Sequence, residues 1–123
     1  MKIVNPIAKK GEELTVEYLR KIGYKIIDRN FRIGYGEIDI VAIDGSEKEK
    51  VLTFIEVKTR ASNHFGTPLE AITFWKLKSL IKTAQFYKMI HPKLPERLRI
   101  DAVSVTLLGS QIKKIEHVKN ITS

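Results

Sequence analysis

Two carboxylates and a lysine are the residues of this chain whose types and spacing best suit chemistry: Asp39, Glu56 and Lys58. They lie in two segments of alternating side chains, predicted as strands joined by a polar loop: Glu37–Ile43, the loop Asp44–Lys50, and Val51–Arg60. Because successive side chains of a strand point to opposite faces, Glu56 and Lys58 share one face of the second strand.

The hairpin register decides whether the two carboxylates meet. If Asp44 pairs with Val51 across the loop, Asp39 lies opposite Glu56. The same register brings apolar residues together on that face: Val41 with Phe54, and Ile43 with Leu52. We therefore expect the Cβ atoms of Asp39 and Glu56 about 4.5–5.5 Å apart, and Lys58 about 6–7 Å further along the face.

Like charges at that separation need a shared proton, a nearby cation or a bound metal. Two carboxylates, with a backbone carbonyl and waters, form a hard oxygen site that suits Mg²⁺ or Mn²⁺. Such an ion polarises a phosphodiester and activates water, and an adjacent lysine offsets phosphate charge. Asp39, Glu56 and Lys58 thus suit phosphodiester hydrolysis. The alternative is an ordinary ion pair of Lys58 with Glu56 or Glu37.

A further acid is predicted to reach the same place from the first helix. On a helical projection Glu12 lies at the edge of the apolar arc, between Leu19 and Val16, whereas Glu13 and Glu17 lie on the opposite side. Glu12 is accordingly a candidate metal-site or water-network carboxylate. An exposed acid near a helix N-terminus, favoured by the helix dipole, is the alternative.

The remaining elements complete one domain over residues 1–123. The pattern predicts an α/β fold in the order α-β-β-β-α-β-β, with a mixed central sheet flanked by helices. The first predicted helix runs from Asn5-Pro6 to Ile22 and is followed by a strand, Tyr24–Ile33, that is interrupted near Arg29-Asn30. After the two central strands, a second helix begins at Thr67-Pro68-Leu69-Glu70 and runs to about Ile90, with a break near Thr73-Phe74. The last predicted strands are Arg99–Leu107 and Gln111–Val118.

Composition narrows the class of function. The chain of 123 residues has a formal charge of +8, of which residues 63–123 carry +6, and this favours a polyanionic partner such as nucleic acid. It contains no cysteine, which excludes thiolate chemistry and fits the cytoplasm. We expect no membrane span and no signal peptide, because no apolar run is long enough.

Residues outside the acidic group are predicted either to contact nucleic acid or to have a structural role. The candidate phosphate contacts are Arg60, Lys76, Lys78 and Lys82, with solvated surface charges as the alternative. The aromatic residues Trp75, Phe86 and Tyr87 are interpreted as core or half-core residues, with base-stacking platforms as the alternative. Asp101 and Arg99 are interpreted as a structural ion pair. His64, His91 and His117 are interpreted as isolated, since their spacing matches no metal site.

The motif set resembles the YraN-type family of bacterial proteins over nearly the whole chain. It comprises Gly11-Glu12, Tyr18-Leu19, Gly23-Tyr24, Gly36-Glu37-Ile38-Asp39, Phe54-Ile55-Glu56-Val57-Lys58-Thr59-Arg60, Phe65-Gly66, Lys76 and Arg99-Ile100-Asp101-Ala102-Val103. That family resembles the PD-(D/E)XK nuclease superfamily, with a restriction-endonuclease-like fold and kinship to archaeal Holliday-junction resolvases. The resemblance makes Asp39 the first acid, Glu56 and Lys58 the E-x-K pair, and Glu12 the helix acid, with Ile38 in place of the superfamily's proline.

The resemblance implies a Mg²⁺- or Mn²⁺-dependent endonuclease acting on DNA, with branched or junction DNA among its substrates. Kinship to resolvases also favours a homodimer, since a two-fold junction suits a two-fold protein. Two other functions stay open: a nucleic-acid-binding module without turnover, and an interaction protein that keeps a vestigial site.

Overall fold

The computed structural model of the chain describes residues 5–34, 36–61, 70, 72–109 and 111–122. Its elements are α1 (Pro6–Lys21), β1 (Tyr24–Ile33), β2 (Gly36–Asp44), β3 (Val51–Ala61), α2 (Phe74–Ile90), β4 (Arg97–Leu108) and β5 (Gln111–Val118). The predicted mixed α/β class and the predicted order of elements are confirmed.

Both helices begin at a polar cap. The Asn5 side chain accepts hydrogen bonds from the backbone N–H of Ile7 and Ala8, and Pro6 follows it in the first turn. The Thr73 hydroxyl accepts one from the N–H of Lys76, so α2 begins at Phe74. The predicted start at Thr67-Pro68-Leu69 lies outside the described residues, as do Phe65-Gly66 and His64.

The strands of the described residues form one sheet in the order β1-β2-β3-β4-β5. Neighbouring strands are antiparallel except β3 and β4, which are parallel and are connected through α2. β1 continues through the predicted interruption, although its pairing with β2 skips Asn30 there. It contains a register shift between Ile26 and Asp28, and Asn30 adopts a positive φ of 53°.

The β2–β3 hairpin has the predicted register. Asp44 pairs with Val51, and the apolar pairs Val41–Phe54 and Ile43–Leu52 follow. Regular pairing ends at Ile40 and Ile55, one residue before the predicted Asp39–Glu56 pair. The two acids therefore lie where the hairpin strands stop pairing.

Each face of the sheet carries one helix and one apolar core. The core beneath α1 includes Val16, Leu19, Ile40, Ile55 and Val103. The core beneath α2 includes Ile38, Val41, Phe54, Leu80 and Tyr87. Within the described part of the chain, neither helix is long and apolar enough to cross a membrane.

Two glycines allow the helices to approach the central strands closely. A Cβ at Gly11 of α1 would lie 1.8 Å from Oγ1 of Thr59 in β3, and a Cβ at Gly36 of β2 would lie 1.9 Å from Oγ1 of Thr83 in α2. Larger residues would overlap their neighbours at both contacts. Gly11 precedes Glu12, so its contact fixes the height of that acid over the sheet.

A buried ionic cluster ties β4 to β2 and β5. Arg99 Nε donates to Asp101 Oδ1 at 2.8 Å, and its Nη2 donates to Asp44 Oδ2 at 2.8 Å. The predicted Asp101–Arg99 ion pair is confirmed. His117 is not isolated, because its Nε2 lies 2.8 Å from Asp101 Oδ2 and its Nδ1 lies 2.9 Å from the Tyr18 hydroxyl.

Candidate active site

Asp39 replaces the backbone pairing that the hairpin loses. Beyond Ile40 and Ile55 its Oδ2 accepts a hydrogen bond of 2.8 Å from the backbone N–H of Val57. The side-chain oxygen of Asp39 thus accepts the hydrogen bond that a backbone carbonyl of β2 would accept if the strands stayed paired. This contact holds the Asp39 carboxylate between the separating strands.

Glu56 lies beside that carboxylate and is only 4% exposed. Burial, the negative charge of Glu56 and a hydrogen bond with Glu56 together raise the pKa of Asp39 from 3.8 to about 7. The expected meeting of the two acids is therefore present. A proton on the Asp39 carboxyl near neutral pH would relieve the repulsion between the two acids.

The positive charge of Lys76 also reduces the repulsion between the two carboxylates. Lys76 of α2 extends to the sheet, where its Nζ lies 3.4 Å from Glu56 Oε2. In the described residues Glu56 pairs with Lys76 and Glu37 with Arg32, so neither forms the alternative ion pair with Lys58. Lys76 was a candidate phosphate contact, and the structure places it on the acidic pair.

The Lys76 contact leaves one oxygen without a hydrogen bond. Glu56 Oε2 is buried and accepts no hydrogen bond from the residues that the structure describes. The Lys76 ammonium is nevertheless close enough to offset the negative charge of Glu56. A buried carboxylate oxygen without a donor is costly. It is a position at which a hard cation or an ordered water would be stabilised.

Lys58 lies at the mouth of the same region. A cavity of about 280 Å³ lies between the start of α1 and the ends of β2 and β3, and its lining includes Asp39, Lys58 and Glu12. The structure thus brings these three predicted residues to one cavity. Glu56 lies next to it through its contact with Asp39.

Glu12 has protein partners of its own. Its Oε1 accepts hydrogen bonds from Arg29 Nη2 at 3.0 Å, Arg29 Nε at 3.2 Å and Asn30 Nδ2 at 3.1 Å. Among the described residues no three acidic or histidine side chains form a group able to hold a metal ion. The donor set for a cation is therefore the Asp39–Glu56 pair, and Glu12 borders it.

Sequence reasoning missed Arg29 and Asn30 as neighbours of the site. The sequence indicates these two residues only weakly, because Arg29-Asn30 predicts an interruption of a strand and nothing about the site. The positive φ of Asn30 lets its side chain turn toward α1, to which Arg29 also points. Asparagine is one of the few residues that tolerates this conformation.

The remaining basic candidates are spread over two elements. Arg60 follows Lys58 on the same face of β3, and Lys78 and Lys82 lie on the exposed side of α2. The prediction that Trp75 is a core or half-core residue is wrong, because Trp75 is 74% exposed. Tyr87 is buried and Phe86 is half-buried, as predicted.

Comparison with known proteins gives relatives of nearly the same length. The chain is 44% identical over 114 residues to a UPF0102 protein of Geobacter metallireducens, covering 93% of this chain and 89% of the relative. It is 44% identical over 110 residues to a UPF0102 protein of Syntrophomonas wolfei, covering 89% of this chain and 91% of the relative.

One solved structure is similar at much lower identity. It is the crystal structure of a repair endonuclease from Pyrococcus abyssi, with a TM-score of 0.47 and 16% identity. The match covers 89% of this chain and 43% of that chain, so the present chain spans less than half of that protein's length.

The profile of the uncharacterised protein family UPF0102 matches residues 11–105, which include all four predicted site residues, Glu12, Asp39, Glu56 and Lys58. This match and the relatives confirm the resemblance to YraN-type proteins drawn from the motifs. The chain belongs to the UPF0102 family.

Proposed function

We propose that this protein is a metal-dependent endonuclease that hydrolyses phosphodiester bonds of DNA, branched or junction DNA among them. One observation carries the proposal. Asp39 and Glu56 are held together where β2 and β3 separate, and Lys58 lines the adjoining cavity. Burying two like charges beside each other destabilises the fold, so the arrangement calls for a purpose other than stability.

The donor set suits Mg²⁺ or Mn²⁺. Asp39 and Glu56 would hold the ion, because their oxygens are hard ligands and Glu56 Oε2 lacks a hydrogen-bond donor. When bound, such an ion would polarise the phosphodiester and lower the pKa of an attacking water. Glu12, which already binds Arg29, would act at the border of the site through water.

The chain's own residues have separable tasks in this proposal. The Lys58 ammonium would bind the negative charge that develops on the phosphate in the transition state. The Val57 N–H fixes the Asp39 carboxylate by a 2.8 Å hydrogen bond and so keeps its orientation through the reaction. Lys76 neutralises the acid pair when no other cation is present.

The test is cleavage of a panel of linear, nicked, flap and four-way DNA with an RNA control, in Mg²⁺ or Mn²⁺. We expect Lys58→Ala and Asp39→Ala to lower the cleavage rate by at least about 100-fold while leaving binding largely intact. Lys48→Ala is the matched control, because Lys48 lies in the exposed loop at the opposite end of the hairpin. Cleavage retained by both site variants would refute the proposed site.

A nucleic-acid-binding module without turnover is the second candidate. It is favoured by the ion pair of Lys76 with Glu56 and by the bonds of Glu12 to Arg29, because both satisfy the acids without a metal. Tight, salt-sensitive DNA binding, with no cleavage of any substrate in either metal, would establish this function instead.

A further inference from the structure

The first turn of α2 exposes two aromatic rings side by side. Trp75 is 74% exposed and Phe74 is 66% exposed. Their ring centroids lie 5.2 Å apart at an interplanar angle of 75°. Single exposed apolar residues are common, but two adjacent and exposed large aromatic rings point to a binding surface.

A lysine on the next turn lies over both rings. Lys78 Nζ is 5.6 Å from the centroid of Phe74 and 5.7 Å from that of Trp75. These cation–π contacts favour a fixed arrangement of the rings and place a positive charge next to them. Aromatic surface and cationic charge are thus combined at one point of the helix.

Trp75 lines a groove of about 440 Å³ between α2 and the paired ends of β1 and β2. Trp75, Phe86 and Ile33 provide its apolar surface, and Lys78 and Lys82 provide its charge. None of the described residues that line the groove is acidic. The groove therefore suits a ligand that combines flat apolar surface with negative charge.

Two short stretches of chain relate the groove to the Asp39–Glu56 pair. Gly36 lines the groove and precedes Asp39 by three residues, which is about 10 Å at the rise of a strand. Lys76, the residue after Trp75, contacts Glu56. Since bases along one strand of stacked DNA are spaced by about 3.4 Å, the groove lies about three nucleotides from the acids.

We propose that the groove binds unpaired nucleotides of a DNA strand, with a base stacked on Trp75 and phosphates held by Lys78 and Lys82. The substrate class is then DNA with a single-stranded segment beside the scissile phosphate, such as a flap or a frayed junction, an inference that rests on the proposed function. In a duplex the faces of the bases are covered by their neighbours. An unpaired base is free to stack on an aromatic side chain.

The chain offers a direct reporter, because Trp75 is its single tryptophan. Tryptophan fluorescence is followed while an oligothymidylate of about ten nucleotides is added in EDTA, so that no cleavage occurs. We expect strong quenching by this single strand, and much weaker quenching by an abasic strand of the same length or by a blunt duplex. The abasic strand keeps the phosphates and removes the bases, so it separates stacking from charge.

Variants separate the two kinds of contact, with affinity measured by anisotropy of a labelled oligothymidylate. Trp75→Ala is expected to weaken binding by about 5- to 150-fold without changing the salt dependence, and Trp75→Phe to restore most of the loss. Lys78→Ala is expected to reduce the slope of log affinity against log salt by about 0.7. Met89→Ala is the control for an exposed apolar residue of α2, and Lys48→Ala is the control for charge.

Equal binding and equal quenching by the oligothymidylate and the abasic strand would overturn the inference. So would self-association that Trp75→Ala abolishes, if it occurs without quenching by DNA. Cleavage of blunt duplex with no quenching would support the proposed nuclease function and refute nucleotide binding in the groove. Base-dependent quenching without cleavage of any substrate would support the groove and refute the nuclease.

Discussion

Asparagine in place of Asp39 isolates the energetic cost of the acid pair. The amide oxygen of Asn still accepts the hydrogen bond that Val57 N–H donates at 2.8 Å, so the backbone contact is kept. The negative charge beside the buried Glu56 is lost. We expect Asp39→Asn to be more stable than the wild type in metal-free solution at pH 8.

The magnitude follows from the pKa of Asp39. Its rise from 3.8 to about 7 corresponds to about 4 kcal/mol of unfavourable free energy once the carboxylate is charged. Lys76 remains as a neutralising partner of Glu56 in both proteins, so about 2–4 kcal/mol should be gained. For a domain of this size that is a rise of about 8–16 °C in Tm.

The sign of the pH dependence is fixed by the same shift. The folded pKa of Asp39 exceeds the unfolded one, so the contribution of Asp39 to stability is fully present below about pH 4 and is lost as the pH rises through about 7. The difference between Asp39→Asn and the wild type should therefore vanish at pH 4 and be largest above pH 7. Groups that titrate alike in both proteins cancel in this difference.

The assay is thermal unfolding in EDTA at several pH values, followed by the same series in millimolar Mn²⁺. The ion should raise the Tm of the wild type by mass action and that of Asp39→Asn less. Glu49→Gln removes one negative charge from the exposed loop and should shift the free energy by no more than about 0.5 kcal/mol. A difference between Asp39→Asn and the wild type that is independent of pH, or a variant that melts lower at pH 8, would refute the reasoning.

Three further predictions concern the residues around the acid pair. Gly11→Ala should lower the free energy of unfolding by about 1–3 kcal/mol in urea denaturation, because its Cβ would lie 1.8 Å from Thr59 Oγ1; unchanged stability would refute the tight contact. Lys76→Ala should lower the Tm of the metal-free protein and enlarge its rise with Mn²⁺, since the ammonium 3.4 Å from Glu56 is removed; a smaller rise would show that the two cations do not compete. Burial tends to raise the pKa of Asp101, but its hydrogen bonds with His117 and Arg99 outweigh burial and lower the pKa. The stabilisation by Asp101 is therefore present above the unfolded pKa and is lost as the pH falls through the folded pKa. Asp101→Asn should unfold more easily than the wild type at pH 7, and by a smaller margin at pH 3.

The sequence was sufficient to predict the register of the hairpin and hence the meeting of the two acids. The reason is that two apolar pairs on one face fix the alignment, since a shift of one residue would turn both pairs to the other face. What it could not predict is where pairing ends. That end depends on the Asp39 side chain taking the N–H of Val57, and no periodic pattern encodes such a contact.

Contacts between helices and the sheet were also beyond sequence reasoning. Glu12 was placed correctly on the sheet side of α1, but its partner Arg29 lies 17 residues away and is found only when the two elements are packed. The residue type of Trp75 predicts a core or half-core position, which is wrong. The buried positions of α2 begin about one turn later, at Leu80, so the first turn extends past the apolar core.

The two helices bring different side chains to the candidate site. α1 contacts β3 through Gly11 and brings Glu12, with its partner Arg29, to the acid pair. α2 contacts β2 through Gly36 and brings Lys76 to the same pair from the opposite face. Because α2 also carries the exposed aromatic and basic groups, the proposed function predicts that substitutions of Trp75 and Lys78 change substrate binding. It predicts that substitutions of Asp39 and Glu56 change metal binding and turnover, so the two properties are separable by mutation.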